Sequence, residues 1–137
     1  MADNPIDGFF IKKEDFKFIG EGLQRPECIL AEKDGTLWSA DARGGVVRID
    51  ANGNQTIITQ SHSAEDFQSS DDDAQKFVDG TLPNGLAFAS NGDILISNFG
   101  TDCLERMTRT GETTVMFDSV NGEPIGKVNF VCRDSKN

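Results

Sequence analysis

The sequence predicts an all-β protein built as a partial β-propeller: two four-stranded blades followed by the inner strand of a third. Three observations carry this. A unit of sequence recurs at a fixed offset, each copy holds four short strand-like runs divided by hairpin turns, and no apolar stretch of helical period reaches useful length.

The repeat emerges when RPECILAEKDGTLWSADARGGVVRIDANGNQTIIT is laid beside LPNGLAFASNGDILISNFGTDCLERMTRTGETTVMF. Pro26 falls on Pro83, Glu27 on Asn84, Asp34-Gly35 on Asn91-Gly92, Leu37 on Ile94 and Asp41 on Asn98, each pair 57 positions apart. One inserted residue then brings Ile49 onto Met107 and Gly53 onto Gly111. Lys127, Val128 and Asn129 line up under Arg25, Pro26 and Glu27, opening a third unit.

Strands are expected at about 27–32, 35–41, 45–50 and 54–59, then at about 84–89, 93–98, 103–109 and 112–118. Asp-Gly, Gly-Gly, Asn-Gly and Thr-Gly pairs between them suit tight hairpins. Four short antiparallel strands in a turn-rich repeat describe a propeller blade. The spacing is longer than a usual blade because a polar stretch, Gln60 to Gly80, separates the two units. The chain divides into blade 1 at about 25–59, an insertion at 60–81, blade 2 at about 82–118 and the start of blade 3 at about 126–137. A ring needs about four to eight blades to close. The expectation is therefore the N-terminal part of a propeller, completed by a missing C-terminal half, a complementary chain or self-association. Open inner strands should then expose Leu37, Leu86, Phe88 and Ile94 unless something covers them.

Composition excludes some partners. A net charge of −10 argues against nucleic acid and against an anionic membrane surface, both of which demand a basic face. Cys28, Cys103 and Cys132 form no CxxC pair and read as free thiols in a reducing compartment. MADNPIDGFF lacks the basic and apolar regions of a signal peptide, so a cytoplasmic protein is expected and the Asn54-Gln55-Thr56 sequon reads as chance.

The chain resembles the gluconolactonase/regucalcin (senescence marker protein) family in RPECILAEKDG, DGTLWSADARGGVVRID, LPNGLAF, NGDILISN and KVNFVCRDS. The likeness runs over about residues 20–137 and spans the first half of a family member. It implies a six-bladed propeller with one divalent metal on its axis, hydrolysing lactones or related esters. It implies Glu27 and Asn129 as metal ligands and Asn84, in the PNG tripeptide, as a residue contacting substrate or lying near the metal. The family's remaining ligand and general base, an Asp from a later blade, falls beyond Asn137. Leu82 stands where some members carry an Arg.

The residues point the same way by themselves. Inner strands of a propeller run along its axis, so Glu27, Asn84 and Asn129, at equivalent positions, should converge at one mouth of the channel. A carboxylate and two amides are hard oxygen donors that suit Ca²⁺ first, with Mg²⁺, Mn²⁺ or Zn²⁺ as alternatives. The insertion and the Asp41–Gly45 turn should overhang that mouth, where Arg43 could meet an anionic substrate. Other motifs carry less. His62 stands alone, Asp71-Asp72-Asp73 lacks the glycine and distal glutamate of an EF-hand loop, and no GxSxG marks a nucleophile. Two functions remain open: a lactone or ester hydrolase completed by further blades, and a non-catalytic propeller piece that serves as a binding module or is an inactive truncated product.

Overall fold

A computed structural model of the chain describes residues 6–61, 81–134 and 136. Most of the insertion, with the expected lid, His62 and Asp71–Asp73, lies outside the described residues. After a 3-10 turn at Lys13–Asp15, ten strands are formed among the described residues. They are β1 (Ile29–Ala31), β2 (Leu37–Asp41), β3 (Gly45–Ile49), β4 (Gln55–Thr59), β5 (Pro83–Phe88), β6 (Ile94–Asn98), β7 (Cys103–Met107), β8 (Thr113–Phe117), β9 (Ser119–Val120) and β10 (Glu123–Pro124). The first eight make two antiparallel sheets ordered β1-β2-β3-β4 and β5-β6-β7-β8, one per expected blade.

The repeat survives as hydrogen bonds. Glu32 N–H donates to Thr36 O, and Gly35 N–H to Glu32 O; 57 residues on, Ala89 N–H donates to Asp93 O and Gly92 N–H to Ala89 O. In the third turn, Asp50 N–H to Asn54 O and Gly53 N–H to Asp50 O recur as Thr108 N–H to Glu112 O and Gly111 N–H to Thr108 O, now 58 residues on. The inserted residue therefore sits in the β6–β7 turn. There Asp102 takes a left-handed φ of 57°, the role Gly44 plays at 93° in blade 1.

Strand alternation sorts the side chains. Trp38, Ala40 and Val46 leave blade 1 on the side that meets Leu86, Ile94, Ile96 and Met107 of blade 2, and these seven form the buried core. Each large apolar chain so buried contributes about 1.5–3 kcal/mol. Leu86 and Ile94 are thus covered, against the expectation of exposure, because the neighbouring blade packs on them; Leu37 and Phe88 are half-buried. Exposed apolar chains lie instead at Ile29, Phe117 and Phe130 and along Phe9 to Ile19.

The third inner strand is not a strand here. Residues 125–134 carry no ladder, and the short β9–β10 hairpin precedes them. An inner strand pairs with the second strand of its own blade, and no described residue offers that partner. The segment nevertheless takes the expected place. Cys28 Sγ donates to Leu86 O at 3.6 Å, setting β5 beside β1. At Gly85, 57 residues after Cys28, an added Cβ would lie 2.7 Å from Phe130 Cα. Residues 130–131 therefore lie beside β5 as β5 lies beside β1. Among the described residues, no helix is long and apolar enough to cross a membrane.

Candidate functional site

The loops before the inner strands are tied to the turns between second and third strands. Asp41, fully buried at the end of β2, accepts from Gln24 N–H at 3.1 Å and from Arg43 N–H at 3.0 Å. Its counterpart Asn98 uses Oδ1 to accept from Leu82 N–H at 2.8 Å and Gly100 N–H at 3.0 Å. One side-chain oxygen in each blade thus anchors the start of an inner strand, where the sequence places the candidate ligands.

Two of the three converge. Asn84 is buried at the start of β5, and its Nδ2 donates to Asn129 Oδ1 at 2.7 Å. Asn129 is held there from one residue pair away: Lys127 Nζ donates to Phe99 O at 3.1 Å, pairs with Asp102 Oδ1 at 2.8 Å and lies 5.2 Å from the Phe99 ring centroid. Gly85 completes the arrangement, since any larger residue would collide with the backbone of Phe130 and Val131.

The third candidate is engaged elsewhere. Glu27 is exposed, and its Oε1 accepts from Arg25 Nε at 2.6 Å. Arg25 itself sits at φ 51°, with Glu27 N–H closing a tight turn on Arg25 O at 2.8 Å. Arg43 does not reach outward freely: Nε and Nη2 clasp Asp41 at 2.7 and 2.8 Å. That hydrogen bond raises the guanidinium above its ordinary range. Among the described residues, no group of three or more His, Cys, Asp or Glu is placed to hold a metal.

One feature escaped sequence reasoning. Glu105, fully buried on β7, accepts from Gln60 Nε2 at 2.6 Å and Asn98 Nδ2 at 2.9 Å through Oε2, and from Thr101 Oγ1 at 2.9 Å through Oε1. Charge-assisted bonds of this kind are the strong ones. The signal was present in the repeat, where Glu105 stands at the position Val47 holds in blade 1. A carboxylate at an apolar repeat position needs buried donors; Gln60 provides one across the blade junction and Asn98 another from the neighbouring strand of blade 2. Nearby, burial raises the Cys103 thiol above its ordinary value of 9.0.

As donors, the Asn84–Asn129 pair and Glu27 are chemically suited to a hard divalent cation, yet incomplete. Two amides and one carboxylate fall short of the six to eight oxygens calcium takes.

No family model and no curated protein matches the chain. Solved structures do. The catalytically inactive virginiamycin B lyase of Staphylococcus aureus, with quinupristin, is similar over 87% of this chain at 19% identity and a TM-score of 0.57. The selenomethionine form of that enzyme gives 18% identity over 70% of this chain with a TM-score of 0.46. A structure assigned as a gluconolactonase gives 21% over 74%, with a TM-score of 0.47. The chain spans 34%, 27% and 36% of their lengths, respectively. At such identities the likeness is one of fold, and the first alignment agrees with the sheet topology: these 137 residues are part of a β-propeller.

Proposed function

We propose that the chain supplies part of the active site of a metal-dependent hydrolase of lactones or related esters, completed by blades outside these residues. The observation that carries this reading is the Asn84–Asn129 contact of 2.7 Å, which joins amides from two successive inner-strand positions at one place. The resemblance of the PNG and KVNFVCRDS stretches to gluconolactonases supplies the chemistry. A bound divalent ion would polarise the ester carbonyl and lower the pKa of a water. Glu27 and Asn129 would hold it, with a carboxylate from a later blade, and Asn84 would orient the substrate. Glu27 would have to exchange Arg25 for the cation.

The test is titration of calcium and manganese into the complete propeller, wild type against Glu27→Ala. Removal of the one carboxylate this chain supplies should weaken the ion by more than about tenfold, or 1.4 kcal/mol, with lactone turnover falling in parallel. Equal affinity in both would remove Glu27 from the site. A second reading, a non-catalytic binding module, is favoured by the Arg25–Glu27 pair, which already satisfies that carboxylate. It requires that no divalent ion bind the complete propeller specifically.

A further inference from the structure

Asn84 sits at a break in its ladder. Pro83 pairs with Asn98 and Gly85 with Ser97, so Asn84 is an extra residue with no partner on β6, at a β-bulge. A bulge of this kind bends its strand and re-aims the side chain it carries. The ladder therefore does not fix the direction in which Asn84 reaches Asn129, and other contacts must.

Side chains of β6 hold the bulge on both sides. After it, the buried Ser97 hydroxyl accepts from Gly85 N–H at 2.9 Å and donates to Gly85 O at 3.1 Å. Before it, Asn98 Oδ1 accepts from Leu82 N–H at 2.8 Å, and Leu82 O accepts from Phe99 N–H at 3.0 Å. Asn98, fully buried, is gripped at its other end, where Nδ2 donates to Glu105 Oε2 at 2.9 Å and to Gln60 Oε1 at 3.3 Å. A carboxylate only accepts, so it admits the amide nitrogen of Asn98 and turns Oδ1 toward Leu82. Without Glu105, that buried nitrogen would lose its closer acceptor, a cost relieved when Asn98 swings away and releases Leu82 N–H.

Blade 1 has neither the hydroxyl nor the buried carboxylate at these places. Ala40 stands where blade 2 has Ser97, and Val47 where it has Glu105. Its residue equivalent to Asn84 is Glu27, which is exposed and turned onto Arg25. The polar holds thus occur in the blade whose inner-strand residue meets its neighbour, and are missing from the one whose residue does not. We infer that Ser97 and Glu105 are positioning residues for Asn84, Ser97 acting directly on the bulge and Glu105 through the Asn98 side chain. Gln60, which follows β4, donates to the same carboxylate, so the seating of blade 1 on blade 2 and the aim of Asn84 are linked. The functional weight of this rests on the hydrolase reading, in which Asn84 orients the substrate; the geometry does not.

The test follows the Asn84 side-chain amide by NMR in the full chain, through its nuclear Overhauser cross-peak to the Asn129 side chain. Glu105→Val and Ser97→Ala install the residues blade 1 carries, and each should abolish that cross-peak. Glu105→Gln should keep it, because one oxygen still accepts from Asn98 while the new amide donates to Thr101 Oγ1, a hydroxyl able to accept. Met107→Ala, a buried core truncation on the same strand, should keep it too. A cross-peak retained in Glu105→Val or Ser97→Ala, absent from Glu105→Gln, or lost equally in Met107→Ala would overturn the inference. Should Glu105→Val not fold, Ser97→Ala decides alone, since it removes one oxygen that blade 1 does without. In the complete propeller, Glu105→Val should lower lactone turnover by more than about tenfold, as a misplaced contact does, and Glu105→Gln should restore it. A wild-type propeller that hydrolyses no lactone would overturn the hydrolase reading, while the cross-peak would still decide the positioning role.

Discussion

At the scale of single residues, backbone proximity and buried charge decide the most. Gly85 exists because the neighbouring segment leaves no room for a side chain: a Cβ there would lie 2.6 Å from Ser97 Oγ and 2.7 Å from Phe130 Cα. Gly85→Ala should lift residues 127–131 and break the Asn84–Asn129 contact at about 1–3 kcal/mol, the usual overpacking cost. Faster amide exchange confined to that segment and β5 is the readout. Glu105→Ala removes the carboxylate that accepts from Gln60, Asn98 and Thr101. About 3 kcal/mol should be lost in urea denaturation, as for other buried, hydrogen-bonded charges stripped of a partner. Neither residue announces itself by type alone. Gly85 falls inside an expected strand with nothing in the sequence to show the backbone that crowds it, and Glu105 shows its character only against Val47 in the aligned repeat.

At the scale of elements, the hairpins explain why so much was legible. Each blade strand lies within two residues of its expected span, because a turn pair such as Asp34-Gly35 or Asn52-Gly53 fixes the register by its own bonds. Thr36 N–H donates to Asp34 Oδ1 at 2.9 Å, as Asp93 N–H does to Asn91 Oδ1 at 3.1 Å. In the third turn the Asn54 side-chain amide, and then its backbone N–H, hold the Asp50 carboxyl below its ordinary 3.8. A depressed carboxylate stabilises the fold above its unfolded value, and the contribution disappears as pH falls through the lower, folded one. Asn54→Ala should move the Asp50 midpoint back toward 3.8, followed by carbon-13 NMR titration. What the sequence could not show was the state of an inner strand lacking its sheet partner. Val128 to Arg133 has strand composition, and its position beside β5 is as expected, but pairing is a property of two segments and only one lies among the described residues. Likewise Glu27 was legible as a repeat position, while its pairing with Arg25 depends on the left-handed turn at Arg25, which no propensity marks.

At the scale of the molecule, two blades share one apolar junction and leave Ile29, Phe117 and Phe130 uncovered on the remaining sides. Light scattering on the isolated chain should therefore show concentration-dependent association that declines when Ile29 and Phe130 are both made polar. The expectation that Leu86 and Ile94 would drive such contacts fails because a blade's face is covered as soon as one neighbour exists; the open faces are those with no neighbour at all. The junction also carries its own optical signal. Trp38 is the single tryptophan in a chain without tyrosine, it is buried between the sheets, and Arg109 stacks 4.9 Å from its ring centroid. Its fluorescence should be blue-shifted and shielded from acrylamide while the blades are joined. A red shift on dilution into denaturant would then time the parting of the two blades, reported from inside their shared apolar junction.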